Sequence, residues 1–281
     1  MPNLKGASSK RRKLYALVVL SILLYGAPVW ADVLENKKYM RVPYAKVIRF
    51  VALRVIAGYR TISYQAAHIL ARIPPIEYLA WKYETIYERT KLLKQDGQVP
   101  TTREKKEIKK YVEETMYNRW KNDIQEPNLP GKRTREAILP NFESWIERQH
   151  GYMTFRLTQL LTGHGTFQEF IYKIGKDDSP VCIHCAETVD TAQHTLERCP
   201  AWDKQRKRLI TTVGNDLSLD TLVRKMLESD DAWNAPTSYC EEVMSAKEER
   251  ERLREQEQRN RLREMSQDTD SPDFVIRIAH R

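Results

Sequence analysis

The chain has 281 residues, of which 41% are hydrophobic and 30% are charged, and its formal net charge is +9. This composition predicts a globular chain of one or two domains, with some residues outside the core. The 10 glycines and 13 prolines exclude a collagen-like or linker-type chain, and four cysteines are too few for a disulfide-stabilised secreted scaffold.

The positive charge is concentrated near the amino terminus. Residues 1–60 carry 12 Lys and Arg against 2 Asp and Glu, whereas residues 61–281 carry 35 against 36. Such a local basic field favours a polyanionic partner, either nucleic acid or an anionic membrane surface. A basic face that serves solubility alone is the alternative.

An uncharged apolar run occupies residues 14–31. A basic stretch precedes it: Lys10, Arg11, Arg12 and Lys13. This order is typical of a signal peptide or membrane anchor, with residues 1–31 as a targeting segment. Gly26 and Pro28 interrupt the run and leave about 11 strongly apolar residues, which favours a buried core helix. We predict the buried helix and keep the targeting segment as the alternative.

The next segment, residues 43–58, is predicted to form an amphipathic helix that begins at Pro43 and ends at Gly58. Three basic side chains share one face of it: Lys46, Arg49 and Arg54. This face suits solvent and a phosphate backbone equally well. Apolar periodicity and helix-breaking residues predict further helices over 61–73, 76–94 and 101–122.

A cysteine–histidine cluster follows, with the spacing C-x2-C-x8-H-x4-C. Its candidate metal ligands are Cys182, Cys185, His194 and Cys199. A C-x2-C turn directs two thiolates at one centre, and a helix that ends before Pro200 brings the other two ligands onto one face. We therefore predict one structural zinc ion in a closed four-ligand site. Unpaired buried cysteines are the alternative, and His184 is a competing ligand.

The carboxyl-terminal residues are strongly charged. Residues 245–264 contain seven basic and six acidic side chains, which predicts a single exposed helix stabilised by i, i+4 ion pairs. Only Leu253 and Leu262 are apolar in the spacing of a coiled-coil seam. Residues 265–281 are predicted to be disordered.

Five segments together resemble the C-terminal third of insect non-LTR retrotransposon polyproteins, of the ribosomal-DNA-targeting and jockey-like reverse transcriptase type. They are LLYGAPVWAD (23–32), RVIAGYRTIS (54–63), ARIPPIEYLA (71–80), FRLTQLLTGHGTFQEFIYKIGK (155–176) and DSPVCIHCAETVDTAQHTLERCPAW (178–202). The resemblance runs from about residue 1 to about residue 245.

The resemblance implies a mainly α fold. A thumb-like helical bundle, which grips the template–primer duplex in that family, would occupy residues 1–97, and a basic helical linker residues 98–150. The basic residues that would then lie along the duplex backbone are Lys10, Arg11, Arg12, Lys13, Lys46, Arg49 and Arg54. A helical region with a CCHC zinc knuckle at 178–202 would occupy 151–235, followed by a charged helix and disordered tail over 236–281. The four ligands carry over onto the cysteines and the histidine above, whereas Ala186 stands where relatives have glycine.

Polymerase chemistry requires paired aspartates that hold two magnesium ions, usually after an aromatic residue. The two Asp-Asp pairs, Asp177-Asp178 and Asp230-Asp231, lack that context. We therefore predict a polymerase fragment without catalytic residues that keeps RNA or DNA binding and the zinc site, in the nucleus or cytoplasm. We expect neither a small-molecule substrate nor a membrane partner, and a domesticated zinc-knuckle adaptor is a further alternative.

Overall fold

The computed structural model describes residues 6–95 and 99–269. The prediction of a mainly α fold is confirmed, because the described residues contain no extended strand and only one isolated antiparallel bridge, between Val181 and Val189. The α-helices of the described part are α1 (Ser9–Leu23), α2 (Ala27–Asn36), α3 (Lys38–Val55), α4 (Tyr64–Ala71), α5 (Ile76–Gln95), α6 (Thr102–Asp123), α7 (Lys132–Ile138), α8 (Phe142–Glu147), α9 (Phe155–Thr162), α10 (Gln168–Lys173), α11 (Ala192–Glu197), α12 (Asp203–Val213), α13 (Leu219–Met226) and α14 (Asp230–Thr269).

The amino-terminal apolar run forms α1 and the start of α2, which meet at Gly26 in the left-handed conformation with φ +67°. Only one face of α1 is buried: Ala16 and Leu20 lie in the core, whereas Leu14 is 60% exposed. The predicted buried helix is therefore half-buried. Among the described helices none alone is long and apolar enough to span a membrane, and α1 and α2 reach that length only as a pair bent by 87°.

The third helix differs from its prediction at its start. It begins at Lys38 rather than at Pro43, which lies inside it. A proline here forgoes one backbone hydrogen bond near the helix start and does not end the helix. Ile48 and Ala52 are fully buried, and α3 packs against α1, α4 and α5.

The carboxyl-terminal helix, α14, differs more from its predicted bounds than α3 does. It begins at Asp230, well before the predicted residue 245, and continues to Thr269, through the first residues of the predicted disordered tail. The rest of that tail, 270–281, lies outside the described residues. One face of the first half of α14 is buried: Trp233 and Val243 are core residues, and α14 packs against α9, α12 and α13.

One apolar core connects the two halves of the described chain. It extends from Ala16 in α1, through Trp120 and Trp145, to Met244 in α14. The cysteines Cys182 and Cys199 belong to the same core. The cysteine–histidine cluster is therefore built into the main body of the fold.

Candidate metal centre

The structure brings the four predicted ligands together. The ligand atoms of Cys182, Cys185, His194 and Cys199 all lie within 4.8 Å of one another. The first two come from a turn, the histidine from α11 and the last from the residue before a short 3-10 helix at Pro200–Trp202. As predicted from Pro200, α11 ends before the proline, at Glu197, and the last two candidate ligands lie close together.

Local hydrogen bonds explain how the chain reaches this arrangement. The Cys182 amide donates to the Thr188 carbonyl at 2.8 Å, which closes the turn that carries the first two ligands. The Thr191 hydroxyl caps α11 by accepting the His194 amide at 2.9 Å. The Cys199 amide donates to the His194 carbonyl at 2.9 Å, so the fourth ligand lies directly beside the third.

Two of the six distances between ligand atoms are close to those around a tetrahedral zinc ion. Zinc–sulfur bonds of about 2.3 Å and zinc–nitrogen bonds of about 2.05 Å place neighbouring ligand atoms about 3.5 to 3.8 Å apart. Cys182 Sγ lies 3.9 Å from Cys199 Sγ, and Cys185 Sγ lies 3.4 Å from His194 Nε2. The three-cysteine, one-histidine donor set is that of structural zinc sites.

Burial favours the neutral thiol at two of the cysteines, Cys182 and Cys199, when no metal is bound. Burial raises the pKa of Cys182, and backbone N–H groups of His184 and Cys185 that face its sulfur oppose that rise. Burial also raises the pKa of Cys199 to about 12. A bound cation would have to displace these protons, and the N–H groups would then stabilise the thiolate.

The competing ligand His184 lies apart from the cluster. Its ring packs on Trp202 with centroids 4.8 Å apart, and burial lowers its pKa to about 4. Within the described part of the chain, its Nε2 atom is buried without a hydrogen-bond partner. The histidine that lies within the cluster is His194, whose Nε2 atom is 3.4 Å from Cys185 Sγ.

Ala186 adopts a left-handed conformation, with φ 58°. Its amide donates to the Cys182 carbonyl at 2.8 Å and so completes the turn of the first two ligands. A residue with a β-carbon is strained in this conformation, which glycine adopts without penalty. Alanine in place of glycine at position 186 therefore adds strain to the turn and leaves the four candidate ligands together.

A buried ion pair, which sequence reasoning missed, fixes this module to α14. Lys247 Nζ lies 2.6 Å from Asp190 Oδ2, and the two side chains are 2% and 1% exposed. Asp190 also accepts the Thr195 hydroxyl at 3.0 Å and the Gln168 amide at 2.9 Å. The Tyr239 hydroxyl donates to the Thr195 carbonyl at 2.7 Å. Helix α14 therefore holds the chain on both sides of the third ligand, at Asp190 and at Thr195.

The predicted nucleic-acid residues separate into two groups. Arg12 donates to the carbonyls of Val55 and Met153 and so connects α1 to α3. Arg49 donates to the carbonyls of Arg60 and Ile62 and so holds the loop between α3 and α4. The remaining predicted residues are exposed or half-buried and form no ion pair with a carboxylate of the described residues: Lys10, Arg11, Lys13, Lys46 and Arg54.

Comparisons with known proteins address the origin of the chain. Over 201 residues, 68% of this chain, it is 27% identical to a 115 kDa protein in the type-1 retrotransposable element R1DM of Drosophila melanogaster. It is also 26% and 24% identical, over 72% and 82% of its length, to Pol polyproteins from the R1 4 and R1 2 elements of Nasonia vitripennis. No protein-family model matches the chain, and no solved structure matches it significantly.

The homologues of this chain are R1-type retrotransposon polyproteins of insects. The resemblance predicted from the sequence motifs is thereby confirmed. The chain covers 19% of the Drosophila melanogaster protein and 52% and 56% of the two Nasonia vitripennis proteins. It therefore corresponds to a region of these polyproteins.

Proposed function

We propose that this chain is a nucleic-acid-binding region of a retrotransposon RNA-directed DNA polymerase, with one structural zinc ion and no catalytic residues of its own. Under this proposal, residues 1–97 form the thumb-like part and lie along the duplex backbone. The observation that carries the proposal is the set of exposed or half-buried amino-terminal cations that have no carboxylate partner among the described residues, in a chain whose homologues are retrotransposon polyproteins.

The salt dependence of nucleic-acid affinity tests this proposal. If the five available cations each contact one phosphate, counterion release predicts a slope of roughly −4.5 in log affinity against log salt on a duplex. A mixed-sequence RNA–DNA duplex, titrated by fluorescence anisotropy between low and high salt, tests this slope. Affinity that is independent of salt would refute the proposal.

Two neutralised variants locate the contact. Arg11→Gln combined with Lys46→Gln should lower the magnitude of the slope by roughly 1.8, because about 0.9 is lost with each phosphate contact. The matched control is Lys204→Gln combined with Lys207→Gln, which removes the same charge from exposed positions in α12. Equal effects of the two pairs would show that net charge, rather than the amino-terminal face, determines binding.

The zinc proposal rests on the converging donor set and has its own test. The purified full chain should contain about one zinc ion per molecule by elemental analysis, and Cys182→Ser should lose it. Cys240→Ser is the control, because Cys240 is fully buried but lies outside the four-ligand cluster. Unchanged zinc content in Cys182→Ser would refute the ligand assignment.

A further inference from the structure

An open cleft of about 620 Å³ lies where α1, α6 and the chain after α8 meet. Six cationic side chains line it: Lys13, Arg72, Lys106, Lys109, Lys110 and Arg148. Three carboxylates also line it: Glu113, Glu114 and Glu147. Two of these are already paired, Glu113 with Lys82 at 2.6 Å and Glu114 with Lys110 at 3.8 Å. The cleft therefore holds an excess of positive charge.

Three of the cations in the cleft are close neighbours. Lys13, Arg72 and Arg148 form no ion pair with a carboxylate of the described residues. Burial, followed by the neighbouring charges of Arg72 and Arg148, lowers the pKa of Lys13. Burial and the charge of Arg72 lower the pKa of Arg148 well below its usual value. Like charges held this close are costly unless an anion joins them.

The fold holds these groups in place. Arg148 is 7% exposed, and its guanidinium carbon lies 3.9 and 4.7 Å from the ring centroids of Trp145 and Trp233, which pack against each other. Its Nε atom is buried without a partner among the residues that the structure describes. The Arg72 guanidinium donates to the Ile146 carbonyl at 3.1 Å, which fixes it beside Arg148. The two guanidinium groups are therefore positioned before any ligand arrives.

We propose that this cleft binds a phosphodiester group of a nucleic-acid strand, with Lys13, Arg72 and Arg148 around the phosphate. Guanidinium groups match phosphate oxygens through paired N–H donors, and an ammonium adds a point charge. Lys106 and Lys109 extend the positive surface along α6, which suits a strand with successive phosphates better than a single small anion. The inference rests on the proposed nucleic-acid binding and extends it beyond the amino-terminal face, since among the residues predicted from sequence only Lys13 lines the cleft.

Lysine acylation followed by mass spectrometry tests the cleft directly on the full chain. A mixed-sequence single-stranded RNA should protect Lys13 and Lys109 at least severalfold, while Lys204 stays reactive. Inorganic phosphate at the same phosphate concentration should protect neither. Unprotected Lys13 and Lys109 in the presence of bound RNA, or equal protection by inorganic phosphate, would overturn the proposal.

A variant pair gives a second readout. Lys13→Gln combined with Lys109→Gln should reduce the magnitude of the salt slope for single-stranded RNA by at least about 0.7, the value for one phosphate. Lys204→Gln combined with Lys207→Gln should leave it unchanged. If the cleft pair behaves like the control pair while the unmodified chain still binds RNA, the cleft assignment fails alone. If the unmodified chain does not bind RNA, the proposed function fails as well.

Discussion

At the scale of single residues, the left-handed Ala186 is a point of stored strain in the ligand turn. Ala186→Gly should stabilise the zinc-loaded protein by about 0.5–1 kcal/mol, because relief of the left-handed strain exceeds the added entropy of the unfolded chain. Urea unfolding in the presence of zinc measures this. The same substitution at the exposed helical Ala246 should destabilise the protein by about 1 kcal/mol, and destabilisation at both positions would contradict the assignment of strain.

The buried ion pair between Lys247 and Asp190 is a second feature at the scale of single residues. Lys247→Met should destabilise the protein by roughly 3–5 kcal/mol, because it leaves a buried carboxylate without its cation. Adding Asp190→Asn to that variant should recover part of the loss in denaturant unfolding, since no uncompensated charge then remains.

An exposed pair provides the control for this prediction. Lys110→Met, which breaks the exposed pair with Glu114, should cost less than about 1 kcal/mol. A loss of similar size in Lys110→Met and Lys247→Met would show that burial of the Asp190 pair has no special effect on stability.

At the scale of elements, α14 has two parts with different roles. Its first part buries Tyr239 and Lys247 against the segment that carries the cysteine–histidine cluster, whereas residues 257–261 are exposed. A chain that ends after Gln256 should keep its zinc affinity. A chain that ends after Asn234 should bind zinc more weakly, because Asp190 and the Thr195 carbonyl lose their partners.

Competition with a chromogenic chelator measures both truncated chains. The shorter chain should release zinc at a lower chelator concentration than the longer one. Identical release curves would show that the metal module folds independently of α14.

At the scale of the whole molecule, zinc affinity should depend on pH. Burial raises the pKa values of Cys182 and Cys199, so both thiols are protonated at neutral pH in the absence of metal and lose their protons on binding. Each proton released increases the affinity about tenfold per pH unit, so these two alone predict a rise of at least about a hundredfold from pH 6.5 to 7.5. Burial lowers the pKa of His194, which therefore adds little in this range. An affinity independent of pH would contradict metal–thiolate binding.

Local patterns in the sequence predicted much of the fold and the candidate site. The ligand set follows from spacing alone, because a C-x2-C turn and the end of a short helix determine where four side chains converge. Pro43 gave a wrong start for α3, since proline is tolerated near the beginning of a helix without defining it. The exposed helix over 245–264 was wrong in its first part because Lys247 finds its partner 57 residues earlier in the chain. No local pattern encodes such a pair, and the same holds for the meeting of Lys13, Arg72 and Arg148.

The continuous core has a thermodynamic consequence for the bundle at the other end of the chain. Cys182, Cys199 and Ala16 of α1 belong to one packed cluster, so the metal module and the amino-terminal helices should melt together. An ion that binds only the folded state stabilises everything that unfolds with its site. A higher concentration of free zinc should therefore raise the melting temperature of α1–α3, although none of the four ligands comes from these helices.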